Sequence, residues 1–332
     1  MDKVKIICMS LPLVVALFVG CTTKHTQDVY VVGWEDYQEM GRVARLWKND
    51  KAYSLTERKT HDAVALSVYV SDNDIYVAGY DITGFNLYAK LWKNGVAQNL
   101  NVTSNISEAN SVFVSGNDVY VTGREGNKAT VWKNGIPVNL TDGTRNACAQ
   151  SIFVSGNDVY VAGREQNSQG NQVAKLWING AEHILSNEIY NAKAFSVFVS
   201  NNDVYVAGYE NNAQGKSVAT VWKNGTAQSL FTDRMNEASA LSVYVSDNDV
   251  YVAGHERNVV KLWKNETEES LTYGISDAEA LSVFVQGNDV YVAGSERNEQ
   301  GIFIAKLWKN GIAKNLTDGS RGDAKAFSVF VK

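Results

Sequence analysis

The 332-residue sequence has only three cysteines and no stretch rich in lysine or arginine. Its 31 Lys and Arg residues are outnumbered by 36 Asp and Glu residues, which gives a net charge of −5. Because neutralising a phosphate backbone requires clustered cations, we expect no nucleic-acid partner. No segment has the 3.6-residue apolar period of an amphipathic helix. The 45% of hydrophobic residues is nevertheless typical of a chain that forms a core.

The apolar run at residues 6–19 is too short to span a membrane, which needs about 20 residues. Lys3 and Lys5 precede it and Gly20 follows it, an arrangement typical of a secretory signal. Residues 17–21, Leu-Phe-Val-Gly-Cys, resemble the lipobox of bacterial lipoprotein signals. The resemblance implies a signal peptide at 1–20, a lipidated Cys21 and a short tether at 21–27. An ordinary cleaved signal or an uncleaved anchor is the alternative.

Once the signal is removed, Cys148 is the only cysteine besides Cys21, so no disulfide can form within one mature chain. Cys148 occupies a position of the internal repeat where other units have Val64, Lys193 or Ser239. No histidine is spaced to act as its base. We therefore interpret Cys148 as a tolerated thiol.

Beyond residue 27 the sequence repeats one unit seven times, at intervals of 40 to 46 residues. The first phrase, Val-Tyr-Val-Ala-Gly, ends at Gly33, Gly79, Gly123, Gly163, Gly208, Gly254 and Gly294. The second, Lys-Leu-Trp-Lys-Asn-Gly, is centred on Trp47, Trp92, Trp132, Trp177, Trp222, Trp263 and Trp308. The third, Ser-Val-Phe-Val, begins at Ser67, Ser111, Ser151, Ser196, Ser242, Ser282 and Ser328. Such self-similarity indicates a repeat architecture.

The pattern inside each unit predicts four antiparallel strands. Apolar residues alternate with period 2 and are β-branched or aromatic, which is typical of strands. Ser-Gly-Asn-Asp and its variants separate the first two strands, and Asn-Gly follows the third strand in five units. Both favour two-residue hairpin turns. Because a four-stranded sheet of about 43 residues cannot cover both of its faces, it must stack on copies of itself.

We therefore predict an all-β fold: a seven-bladed β-propeller over residues 28–332, with four antiparallel strands per blade. The repeat starts inside a unit, at Val29, and finishes with an additional innermost strand at residues 328–331. This offset predicts that the C-terminal strand completes the first blade and closes the ring. Each repeated Trp is expected between two blades.

The repeated Trp and the strand order resemble those of bacterial seven-bladed propeller proteins. The first two phrases look like those of secreted bacterial lipoproteins of this repeat type. The resemblance covers residues 28–332. The sequence lacks the Gly-His and Trp-Asp pairs of WD repeats and the double Gly of kelch repeats. The resemblance implies no characterised enzyme family, and propellers host many unrelated functions.

An acid follows each repeated Gly by two positions: Glu35, Asp81, Glu125, Glu165, Glu210, Glu256 and Glu296. The facing third strand carries Arg45, Lys90, Lys175, Lys261 and Lys306 in five units, and Thr130 and Thr220 in two. A cross-strand ion pair or hydrogen bond in each blade accounts for this pattern. A cation site or an acid–base centre is the alternative, but a ring of like carboxylates lacks the two unlike environments of a hydrolytic pair.

The residue between that Gly and that acid varies between units. Aromatic and Arg side chains there suit stacking and hydrogen bonding to a sugar or a peptide. The candidate ligand-binding residues are Trp34, Tyr80, Arg124, Arg164, Tyr209 and His255. The alternative is that they fill the gaps between blades. The adjoining loop is short in the third and sixth units, at 126–128 and 257–259, which could leave a groove or reflect neutral deletion.

No metal site and no cofactor is predicted. His25, His61, His183 and His255 share no ligand spacing, and the sequence has no Asp-x-Asp-x-Asp-Gly calcium loop.

The sequence favours a monomeric binding or scaffold module, lipid-anchored to a membrane of the bacterial cell envelope, that meets a glycan, peptide or protein. A hydrolase or lyase acting on an extracellular polymer and a purely structural surface protein are the alternatives. Residues 28 and 332 both fall at the turn between the innermost and second strands, and the tether spans at most roughly 25 Å. We expect this face toward the membrane and the ligand on the opposite face.

Overall fold

The computed structural model describes residues 27–37, 41–56, 62–100, 102–230 and 236–332, which form 28 strands in seven four-stranded antiparallel sheets. The predicted signal peptide, Cys21, His25 and His61 lie outside these ranges. Within them, no helix is long and apolar enough to cross a membrane.

The strands are numbered in chain order and the sheets are blades 1 to 7. Blade 1 contains β28 (Ala324–Val331), β1 (Val29–Asp36), β2 (Arg42–Lys48) and β3 (Lys51–Ser54). Blade 2 contains β4 (Asp62–Ser71), β5 (Asp74–Thr83), β6 (Asn86–Lys93) and β7 (Val96–Asn99). Blade 3 contains β8 (Ser107–Ser115), β9 (Asp118–Glu125), β10 (Lys128–Lys133) and β11 (Ile136–Asn139). Blade 4 contains β12 (Ala147–Ser155), β13 (Asp158–Gln166), β14 (Gln172–Ile178) and β15 (Ala181–Ile184).

Blade 5 contains β16 (Ala192–Ser200), β17 (Asp203–Asn211), β18 (Ser217–Lys223) and β19 (Thr226–Ser229). Blade 6 contains β20 (Ala238–Ser246), β21 (Asp249–Glu256), β22 (Val259–Lys264) and β23 (Thr267–Ser270). Blade 7 contains β24 (Ala278–Gln286), β25 (Asp289–Arg297), β26 (Phe303–Lys309) and β27 (Ile312–Asn315). In each blade the first strand named is the innermost one.

The ring closes through the C-terminal strand. β28 pairs antiparallel with β1, with Val331 opposite Val29 and Ser328 opposite Val32. Asp28 and Lys332 exchange two further backbone hydrogen bonds, of 2.8 and 2.9 Å. The predicted closure of a seven-bladed propeller is confirmed.

The disc has two faces. The turn face carries the two-residue turns between the first and second and between the third and fourth strands of each blade. The crossing face carries the turns between the second and third strands and the connections between blades. Asn94 and Gly95 have φ angles of 52° and 80°, the left-handed conformation of a type I′ hairpin turn. Residues 28 and 332 lie on the turn face, as expected.

Seven apolar clusters fill the seven gaps between neighbouring blades, and each contains one repeated Trp. Trp177, for example, packs with Ile152 of its own blade and with Tyr120 of blade 3. All seven indoles are at most 1% exposed. The predicted position of these Trp residues is confirmed.

A β-bulge interrupts every innermost strand just before its repeated Ser. In blade 4 the register shifts between Ala149 and Ser151, which leaves Gln150 as the additional residue. The bulge brings the carbonyl of Cys148 so close to Gly163 that a Cβ there would lie 2.2 Å from the oxygen. This contact explains why the first phrase ends in Gly.

Candidate functional site

A closed ring of seven aromatic side chains, one from each innermost strand, surrounds the central axis. Neighbouring ring centroids are 4.6–5.0 Å apart. The members are Tyr69, Phe113, Phe153, Phe198, Tyr244, Phe284 and Phe330. A regular heptagon with such sides has a radius of about 5.5 Å, so these rings narrow the channel. Burial raises the pKa of the two phenols in the ring.

A belt of seven hydrogen bonds runs beside the aromatic ring. The repeated Ser Oγ of each innermost strand accepts the backbone N–H of a Val or Ile in the next blade, at 3.1–3.4 Å. The last bond joins Val68 to Ser328 at 3.3 Å and so includes the closing strand. The Ser of the third phrase is therefore a structural residue.

The residues that differ most between repeats meet at the mouth of the channel on the crossing face. Each sequence-predicted candidate pairs across strands with a variable residue of the innermost strand. The pairs are Trp34 and Lys325, Tyr80 and Val64, Arg124 and Glu108, Arg164 and Cys148, Tyr209 and Lys193, and His255 and Ser239. All six candidates are half-buried. They therefore pack between blades while keeping part of their surface open to solvent.

The polar side chains of blades 3 and 4 form two sets of hydrogen bonds at this mouth. The Arg124 guanidinium donates to Glu108 Oε1 at 2.6 Å. Asn110 Nδ2 and Gln150 Nε2 donate to Cys148 Sγ at 3.2 and 3.1 Å. The Cys148 side chain is buried, and burial raises the pKa of its thiol. A thiol in this state is not an activated nucleophile.

His255 lies at the mouth within reach of the charge of Glu279, but burial has the larger effect on it. Burial lowers the pKa of its imidazole, and the buried Nδ1 has no hydrogen-bond partner among the described residues. Its cross-strand neighbour Ser239 is also buried. His255 is therefore neutral near pH 7.

The acids that follow each repeated Gly by two positions form ion pairs or hydrogen bonds inside the protein. The predicted ion pairs form in all five units with a basic partner, for example Arg45–Glu35 at 2.7 Å and Lys90–Asp81 at 3.2 Å. In the two threonine units, the expected cross-strand bond is not made. Glu125 accepts from the backbone and hydroxyl of Thr103, and Glu210 accepts from the backbone of Asn187. The acids there bind the preceding inter-blade connection instead.

The mouth contains functional candidates that the sequence reasoning missed. They are the charged residues on the innermost strands, Glu108, Lys193, Glu279 and Lys325. The sequence does contain a signal for these residues. The position three residues before the repeated Ser varies between units as much as the position directly after the repeated Gly does. Of the described residues, no group of three or more His, Cys, Asp or Glu side chains is placed to hold a metal ion.

The polar side chains of the turn face form the same hydrogen bonds in each blade. On the turn face, Asp74 accepts hydrogen bonds from Lys93 and Asn94, both at 2.7 Å, and these bonds lower its pKa. The Asn–Asp bond of this type recurs in all seven blades. The turn face is thus repetitive, and its Asp and Asn side chains bind one another.

Bulky apolar side chains are exposed on the turns and connections of the crossing face, and others, such as Ile312, at the start of the outer strands. Tyr273 and Ile275, between blades 6 and 7, are 95% and 90% exposed. Phe85, Ile106 and Ile189 are exposed on the same face. Of these, Tyr273 and Ile275 lie in one connection and are suited to contact a partner.

The fold and this mouth define a closed seven-bladed β-propeller with a variable channel entrance. No family model matches the chain, and no curated protein matches it. A puromycin-hydrolyzing peptidase from Mycobacterium tuberculosis is similar in structure, with a TM-score of 0.59 and 11% identity over 87% of this chain and 51% of that one. The β-propeller domain of the Trilobed protease from Pyrococcus furiosus matches with a TM-score of 0.55 and 10% identity, over 88% of this chain and 95% of that one.

A puromycin hydrolase variant complexed with PGG matches similarly, with a TM-score of 0.58 and 10% identity over 88% of this chain and 52% of that one. This chain therefore spans about half the length of these two proteins. The likeness is one of fold alone. The Pyrococcus domain is described as having an open velcro topology, whereas β28 closes the ring here.

Proposed function

We propose that this protein is a lipid-anchored binding or scaffold module of the bacterial cell envelope that receives a glycan, peptide or protein on its crossing face. One observation carries the proposal: the residues that differ between otherwise similar blades gather at one mouth of the channel. The turn face, in contrast, repeats one set of contacts in each blade. A specific ligand requires a non-repeated surface, and the crossing face supplies it.

The chemistry of the crossing face suits binding. Tyr80 and Tyr209 present half-buried aromatic rings at the mouth, and Tyr273 and Ile275 add exposed apolar surface beyond it. Arg164 supplies hydrogen-bond donors between them. Aromatic and Arg side chains are the residues that dominate binding energy at interfaces.

The alternative of a hydrolase or lyase has less support at this site. A carboxylate pair for hydrolysis needs two free acids in unlike environments. At the mouth, Glu108 is bound to Arg124 and Glu279 to Lys325. Both acids thus neutralise neighbouring cations.

The anchor is a separate part of the proposal, and its test is Cys21→Ala. Gln27, the last residue of the proposed tether, lies on the turn face, where its Oε1 accepts from the Tyr291 hydroxyl at 3.2 Å. This position favours the turn face toward the membrane. Cys21→Ala should leave the protein soluble, or uncleaved at its signal, and without lipid. Lipid labelling that survives the substitution would contradict the assignment.

The ligand face is tested with glycan and peptide arrays, followed by surface variants. Tyr273→Ser and Ile275→Ser should each weaken binding of an array ligand by about tenfold, the effect of losing one good apolar contact. The matched control is Ile312→Ser, which removes an apolar side chain, 76% exposed, from the outer strand β27. If binding is unchanged in both face variants, or equally weakened in the control, the ligand binds at another part of the protein.

A further inference from the structure

Two cations at the channel mouth have no carboxylate partner in the part of the chain that the structure describes. Arg164 of blade 4 lies opposite Cys148, and Lys193 of blade 5 lies opposite Tyr209. Both side chains are half-buried, and neither forms an ion pair with any described residue. Burial, and after it the positive charge of Arg164, lowers the pKa of Lys193, so the two charges oppose each other. Like charges held close and half-buried are unfavourable unless an anion joins them.

Glu108, whose charge acts on the neighbouring Cys148, is bound to Arg124 and not to Arg164. The Nε of Arg164 is fully buried and has no hydrogen-bond partner among the described residues. The neighbouring Cys148 is a buried thiol with a raised pKa and is therefore neutral. Burial also raises the pKa of Tyr209, which keeps this phenol neutral. Among the described residues, no carboxylate is paired with the guanidinium of Arg164.

Equivalent cations in other blades are neutralised within the protein. Arg124 occupies in blade 3 the position that Arg164 has in blade 4, and Glu108 binds it at 2.6 Å. Lys325 occupies in blade 1 the position that Lys193 has in blade 5, and Glu279 binds it at 2.9 Å. The uncompensated positive charge is therefore specific to blades 4 and 5.

We propose that Arg164 and Lys193 bind an oxyanion carried by the ligand, a carboxylate or a sulfate or phosphate ester, so that the ligand of this module is acidic. The inference rests on the proposed binding function. A guanidinium donates two parallel N–H bonds to such a group, and the Lys ammonium adds a third charged donor. In a protein with a net charge of −5, this local positive charge also directs an acidic ligand to the mouth.

The test titrates the purified full-length chain at constant ionic strength in chloride buffer. The probes are sodium sulfate, sodium phosphate and D-galacturonate, with D-galactose as the neutral control, and binding is measured by calorimetry and by the rise in melting temperature. At least one oxyanion should bind, and galactose should not. Arg164→Gln and Lys193→Gln should each weaken that binding about tenfold, the effect of losing one charge-assisted hydrogen bond.

The matched control is Lys314→Gln, which removes the same charge from the outer strand β27, where Asp50 neutralises it, and should leave binding within about twofold. Binding of galacturonate alone identifies a carboxylate, whereas binding of sulfate or phosphate alone identifies an ester. No oxyanion binding, or equal binding in all variants, overturns the proposal. So does a large fall in the melting temperature of Arg164→Gln without added oxyanion, because removing one of two opposed charges should not destabilise the fold.

The two proposals fail in different ways. If Tyr273→Ser abolishes binding of an array ligand while Arg164→Gln leaves it unchanged, the crossing face binds ligand and the oxyanion site is wrong. If the oxyanion binds at Arg164 but no array ligand depends on the crossing face, the proposed function is wrong and the anion site stands.

Discussion

Truncating one valine of the closing strand tests whether the ring is closed in solution. Val329 of β28 and Val283 of β24 occupy equivalent positions, and each is 4% exposed. Their backbone N–H groups donate to Ser282 and Ser242 of the preceding blades at 3.2 and 3.1 Å. Replacing either valine with Ala removes two buried carbons, which should lower the free energy of unfolding by about 2 kcal/mol.

Urea unfolding followed by tryptophan fluorescence measures both variants against the parent protein. If β28 is docked as firmly as β24, Val329→Ala and Val283→Ala should agree within about 0.5 kcal/mol. Deleting residues 328–332 should cost more. It removes two buried valines, each worth about 1.5–3 kcal/mol, and unpairs β1.

An open ring would give a different result. Val329→Ala would then leave the unfolding midpoint unchanged while Val283→Ala lowered it. An unchanged melting temperature after the five-residue deletion would likewise refute closure by the C-terminal strand.

Trp177→Ala should lower the free energy of unfolding by roughly 3–5 kcal/mol, because the indole is fully buried between two blades. Trp34→Ala, at the half-buried mouth, should cost less, and the opposite order in urea unfolding would contradict the assigned strand register. Because burial lowers the pKa of His255 below its usual 6.5, the unfolded state takes up a proton that the folded state does not as the pH falls below 6.5. Thermal melts should therefore show a larger loss of stability between about pH 7.5 and 5.5 for the parent than for His255→Gln, and equal losses would exclude this cause. In membrane-bound protein, a maleimide should label Gln169→Cys readily and Asn157→Cys poorly, because the turn face is proposed to lie toward the membrane. The reverse result would place the crossing face, and not the turn face, toward the membrane.

The blade architecture could be predicted because each signal is local and is repeated. Trp177 and its six equivalents, the Asn94-Gly95 type of turn and the offset strand at Ser328 each specify one part of the fold. The five acid–base pairs could also be predicted, since facing residues on adjacent strands follow from hairpin register. The contacts of Glu125 and Glu210, in the two threonine units, could not be predicted. Both acids bind connections between blades, and the strand register does not specify the path of those connections.

The sequence by itself thus determined the number of blades, the strand order, the closing strand and the list of rim candidates, all of which depend on period and register. Only the tertiary structure decided that Arg164 and Lys193 share one mouth without a carboxylate while Arg124 and Lys325 are neutralised. These side chains belong to different blades and lie far apart along the chain. They meet because the ring places equivalent positions of successive blades around one axis. The bulge before each repeated Ser then sets which side chains point toward that mouth, and a sequence period of two does not carry that information.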